Sequence, residues 1–283
     1  MAKEFRSTVS VTSAPALSPL ATHLLFDKNY TTFRGSCIDE FTKRLRAMNA
    51  LVPRPDKFDS YIGQLFLLGA VAAVESFLRS LFRRAISIDG ACRDLAMKKE
   101  ISYAAAVYLR QDLLPEALLE KTSFTSRDNI EKACRELLGL KGEFPEDVKV
   151  VVQQYVRICH LRHCAVHRFG KLGASNAVHL GLDDHMELLE KPLLLSYASL
   201  QEAIAIATAF VRTLNSFVFN LLLSRLPDNH FVGNYSLDRP RFLEYYDVFR
   251  DKESMSKSPS PKDAYTQFMA ERGRFLAQFA RQQ

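Results

Sequence analysis

Residues 157–170, RICHLRHCAVHRFG, gather three histidines, three arginines and two cysteines into one short segment. Imidazole moves protons near neutral pH, and guanidinium holds anions with a permanent charge and a planar fork of donors. Side chains of those two types side by side suit proton transfer next to a bound oxyanion. On a helical wheel with about 100° per residue and Arg162 at zero, Val148, Val151, Tyr155, Ile158, Cys159 and Val166 fall within roughly 60° on either side. Arg162 therefore sits on the apolar stripe that a helix turns toward its core. His163 and His167 fall at about 100° and 140°, on the stripe's edge, with His160 just beyond. A core-facing guanidinium needs a carboxylate partner or an opening to solvent and ligand. The expectation is a small cationic cleft.

The element that must position these groups opens at Pro145, where proline loses no bonded N–H and Glu146 and Asp147 suit the helix dipole. It should run to about Arg168, with Gly170 as its stop. Residues 60–88, with apolar side chains at helical spacing over some seven turns, predict a long partner helix. Gly63, Gly69, Ala70, Ala72 and Ala73 keep that helix thin enough for close approach by another. Glu75 interrupts its apolar surface, either as a solvated edge carboxylate or as the counter-ion that Arg162 requires.

The rest of the chain reads as further helices. A helix is expected within 30–52, then at 91–109, 115–120 and 127–138, the last ended by Gly139. Residues 177–197 suit a small β-hairpin or an irregular crossover. A long helix follows over 199–226, closed by Pro227. Its apolar run carries Arg212, Asn215 and Asn220, which favours a bundle helix over a membrane span. Three parts are expected: a loose N-terminal arm (1–30), an all-α helical domain (31–226) and a C-terminal extension (227–283) with a linker and a terminal helix over 263–281. The 38 Lys and Arg against 32 Asp and Glu leave a formal charge of +6, a modest push toward a polyanionic partner. Five cysteines form an odd set without a CxxC pair, and no secretory leader pattern precedes them. A reduced, cytoplasmic setting is the expectation. P-loop, GxGxxG and GxSxG elements do not occur.

An arginine followed by four to six residues and a histidine occurs three times: Arg157 to His163, Arg162 to His167, and Arg225 to His230. With 23 arginines and 7 histidines, about one or two matches arise by chance, so context must choose among them. Pro227 interrupts the third, and the first starts on the polar side of the wheel. Only Arg162 to His167 lies within one helix and starts on its inner face. That motif near the end of a helix, an early AAVESFLRSLFRR helix and a long closing helix resemble the HEPN superfamily of helical ribonucleases over about residues 32–226. HEPN proteins that pair with nucleotidyltransferases commonly carry tyrosine two residues after the motif histidine. Here that position is Phe169, which has no oxygen to accept a nucleotidyl group.

The resemblance implies a HEPN-like bundle acting as a metal-independent endoribonuclease, with its site shared between two copies of the chain. Arg162 would clamp the phosphate, His167 would be the acid–base group, and His163 would orient the substrate or share the proton work. Arg157 and Arg168 would add substrate contacts, with Glu75 in support. RNA is the implied partner, alongside an inhibitor or antitoxin protein if the chain shares the family's defence and toxin biology. No cofactor, membrane or metal is expected. His163 and His167 have i, i+4 spacing, yet the cluster has no carboxylate and no HExxH. The alternative is a non-catalytic helical module that binds RNA or a nucleotide in the same cleft.

Overall fold

The computed structural model describes residues 7–13 and 15–280, with backbone alone at 279 and 280. Residues 1–6 and 14 of the expected arm, and 281 at the end of the expected terminal helix, lie outside the described residues. The protein is an all-α helical bundle, with eleven α-helices among the described residues. In chain order these are α1 (Cys37–Asn49), α2 (Ser60–Ile88), α3 (Gly90–Ala96), α4 (Tyr103–Tyr108), α5 (Leu114–Ala117), α6 (Arg127–Leu138), α7 (Glu146–His167), α8 (Ala174–His185), α9 (Tyr197–Ser224), α10 (Tyr235–Phe249) and α11 (Pro261–Ala280). The chain forms two compact units, 1–34 and 35–283. The first carries one 3-10 turn, Thr22–Leu25.

Within the second unit α1, α2, α7 and α9 build the core. Asp59 starts α2 by accepting the Ile62 N–H at 2.9 Å, and Asp89 ends it while capping α3 through the Cys92 N–H at 2.9 Å. α1 runs antiparallel to α2, with Phe41 on Phe77 near its start and Met48 against Gly69 near its end. A Cβ at Gly69 would meet the Met48 sulfur, so a larger residue there would push that flexible side chain aside. α7 also opposes α2: Glu75 of α2 lies near Tyr155 and Cys159, whereas Gln64 and Tyr61 meet Gly170 and Phe169. α9 packs on α7 through Tyr155 and Phe210, stacked at 4.4 Å, and its Phe217 meets Phe144, just before α7, at 5.5 Å. By length and composition α2 and α9 could each cross a membrane; 50% of the most apolar window of α2 and 44% of that of α9 are buried inside the bundle.

The crossover between α7 and α9 is helical. The Leu172 N–H donates to the Lys191 carbonyl and the Glu190 N–H to the Leu172 carbonyl, both at 3.0 Å, and an isolated antiparallel bridge joins Lys171 to Pro192. Pairing stops there because the chain turns into α8 immediately after Gly173, so no hairpin forms. α8 kinks at Gly181, whose φ of 109° suits glycine alone. The expected helix over 91–109 is two helices, α3 and α4, because Ser102 caps a new start by accepting the Ala105 N–H at 3.2 Å.

The C-terminal segment is tied to the bundle by carboxylates. Asp39 of α1 accepts the N–H groups of Lys252 and Glu253 at 2.7 and 3.1 Å. Asp251 meets Arg212 of α9 at 3.0 Å, and Asn215 donates to the Phe249 carbonyl at 2.7 Å. Asp238 accepts from the Val232 and Gly233 N–H groups at 3.0 Å and from the buried Tyr265 hydroxyl, which fixes α11 on α10.

Candidate active site

α7 presents Val148, Val152, Tyr155, Ile158 and Cys159 to the core. Two positions further along the same stripe leave it: Arg162 is half-buried and Val166 is 43% exposed. The inner face of the helix thus emerges from the bundle in its last turns, and Arg162 stands at the rim. Among the described residues its guanidinium has no hydrogen-bonded or ion-paired partner. Burial pushes the Cys159 thiol up to about 12, and the charges of Glu75 and Arg162 pull on it in opposite directions.

Glu75 is engaged elsewhere. Its carboxylate accepts the Phe124 N–H at 3.0 Å and the Ser123 hydroxyl at 3.4 Å, tethering the loop before α6 to α2. No ion pair joins it to Arg162.

His163 and His167 lie one turn apart on the exposed edge, with ring centroids 4.5 Å apart and planes tilted by 44°. Partial desolvation, then the neighbouring His167, His160 and Arg162, hold the His163 imidazole below the usual histidine range. His163 is thereby biased toward the neutral form that can accept a proton. His160 turns away from this pair toward α8. Its Nδ1 lies 3.0 Å from Asn176 Oδ1 and its ring stacks on His179 at 4.6 Å. Since Oδ1 only accepts, Nδ1 carries the proton in that contact.

The two outer arginines have protein partners. Arg157 donates to the Leu180 carbonyl at 3.2 Å, just before the kink of α8. Arg168 pairs with the exposed Glu190 across the crossover. The structure therefore pairs His163 with His167 on the exposed edge of α7 and sets Arg162, a charged neighbour of His163, at the rim of the core. Arg157 is directed to α8 and Arg168 to the loop after it.

The turn that ends α7 takes in one residue more than the glycine stop. The helix stops at His167, and the left-handed turn is made by two consecutive residues, Phe169 (φ 51°) and Gly170 (φ 88°), where glycine alone was expected. The Phe169 ring meets Tyr61 of α2 at 5.9 Å, and both are exposed. An aromatic residue directly after a run of cations was the signal available. Its partner lies more than a hundred positions earlier in the chain.

Among the described residues, no three His, Cys, Asp or Glu side chains form a group able to hold a metal ion. No family model, curated protein or solved structure matches this chain.

Proposed function

We propose that the chain is a metal-independent endoribonuclease whose site is built on Arg162, His163 and His167. The observation that carries this reading is a guanidinium at the core rim, without an ion-paired or hydrogen-bonded partner among the described residues, beside two exposed imidazoles. A partly desolvated cation without a counter-ion costs stability, and an external phosphate relieves that cost. The resemblance to HEPN ribonucleases rests on the same residues.

In the proposed reaction the ribose 2′-oxygen attacks the adjacent phosphorus while the bond from phosphorus to the 5′-oxygen breaks. His163, biased toward its neutral form, takes the 2′-hydroxyl proton, and His167 delivers a proton to the departing 5′-oxygen. Arg162 holds the non-bridging oxygens as charge builds on them. The products are a 2′,3′-cyclic phosphate and a 5′-hydroxyl. A second copy, facing the first across a twofold axis with the RNA between them, supplies the remaining cations. A cytoplasmic defence or toxin role, held in check by an inhibitor protein, belongs to this proposal through the resemblance alone.

The test is purified protein with end-labelled RNA in EDTA. Fragments ending in cyclic phosphate, absent for the DNA analogue and for folded Arg162→Ala and His167→Ala variants, support the enzyme. RNA left intact across substrates and pH overturns it, and leaves a helical module that binds RNA or a nucleotide through the same face.

A further inference from the structure

Phe169 stands two residues beyond His167 with a φ of 51°, and its ring is 80% exposed. The turn that ends α7 needs this backbone conformation but not a phenylalanine in it. Glycine would adopt this backbone without strain, and a polar side chain would not expose apolar surface. The surrounding frame is rigid. Cys164 O accepts the N–H groups of Arg168 and Gly170 at 3.1 and 3.0 Å, and Gly170 O accepts the Leu193 N–H at 2.8 Å. A Cβ at Gly170 would lie 2.9 Å from Gln64 Oε1, so the turn sits directly on α2. The Phe169 ring is thus held outward beside Tyr61, itself 64% exposed, with centroids 5.9 Å apart.

We propose that Phe169 and Tyr61 form a stacking platform for one nucleobase of a bound RNA strand, adjoining the phosphate held by Arg162. The platform rests on the ribonuclease reading and extends it to the base beside the reacting phosphate. Single-stranded RNA is commonly gripped this way: cations track the backbone while aromatic faces stack the bases, with little dependence on base identity. Here Arg162, His163 and His167 lie on the last turns of α7, and Lys171 and Lys191 lie on the strands of backbone that leave and re-enter the same turn. Direct contact with a second copy through this surface would set those cations against their own symmetry images. An RNA strand neutralises them instead.

The experiment measures binding of the full chain to 2′-O-methyl single-stranded RNAs, which cannot be cut, each carrying one 2-aminopurine, with matched RNAs abasic at the same position. Wild-type protein should change the fluorescence of the 2-aminopurine at one position and bind the matching abasic RNA about tenfold more weakly, within the range for loss of one stacked base. Phe169→Ala and Tyr61→Ala should lose a similar factor on intact RNA and little further on abasic RNA, while Phe169→Tyr keeps wild-type behaviour. The salt dependence of binding should stay as in wild type for the aromatic variants and become shallower for Arg162→Ala. Variants that bind intact and abasic RNA as tightly as wild type overturn the platform while leaving the ribonuclease reading in place. So does a fall in molecular mass on Phe169→Ala, which assigns the surface to a second copy. Wild-type protein that neither binds nor cuts RNA overturns both.

Discussion

Replacing Arg225 and Arg162 by methionine, one at a time, should move stability in opposite directions. Arg225 joins the end of α9 to the α2–α3 junction: it donates to both oxygens of Asp89, to the Leu138 carbonyl at 2.5 Å and to Cys92 Sγ at 2.9 Å. Its side chain is 23% exposed and that of Asp89 only 4%. Arg225→Met leaves the Asp89 charge buried without a counter-ion, held by Cys92 through its N–H. Breaking a buried pair from one side costs about 3–5 kcal/mol, and partial exposure of the arginine places this case near 3 kcal/mol. In a domain of this size that corresponds to a fall of about 6–12 °C in Tm. Arg162 has no such partner among the described residues. Arg162→Met removes a partly desolvated charge and keeps the apolar stem, so stability should stay level or rise by up to about 1 kcal/mol, while RNA cleavage disappears. Urea unfolding at constant m-value reads both changes. If Arg162→Met loses more than about 1 kcal/mol, the arginine is bound into the fold, and the argument from an unpaired phosphate clamp fails.

Acidification should destabilise the protein through its depressed histidines. Burial, partly offset by the Asn176 hydrogen bond and reinforced by His179, holds His160 below 6.5, and His163 is also lowered. The unfolded chain then binds more protons than the folded one below about pH 6.5, so stability falls as pH drops through that value toward the folded pKa values. Tm at pH 7.5 and 5.5 should show a smaller loss for His160→Gln than for wild type; a wild-type gain on acidification contradicts the assignment. Tyr265→Phe removes a hydrogen bond to the Asp238 carboxylate and should cost about 1.5–3 kcal/mol, with backbone amides of α11 exchanging sooner than those of α7. Equal exchange in both helices would mean that the hydroxyl does not hold α11 in place. All five cysteines are buried, and burial pushes the Cys92, Cys134 and Cys159 thiols up to about 12. A soluble thiol reagent should label none of the five before unfolding and all of them after it.

Local chemistry made several helices legible in the sequence. The expected spans 60–88 and 127–138 coincide with α2 and α6, since Asp59, Ser126 and Gly139 mark their ends through bonds to residues at most five positions away. α7 begins one residue after the proline expected to be its first and ends one residue short of Arg168. Helical period alone put Arg162 on the inner stripe, with His163 and His167 on one edge. It could not say where along the helix that stripe leaves the core, which depends on how elements distant in the chain pack around α7.

Caps and period act within a turn or two, so the sequence by itself determined an all-α chain and an arginine and two histidines carried by one helix. Partner choice among charged groups acts between residues far apart in the chain, and only the tertiary structure decided it. The Phe124 N–H takes the Glu75 carboxylate, Glu190 takes Arg168, and the Leu180 carbonyl takes Arg157. Arg162, equally cationic and more deeply set than either outer arginine, has no hydrogen-bonded or ion-paired partner among the described residues.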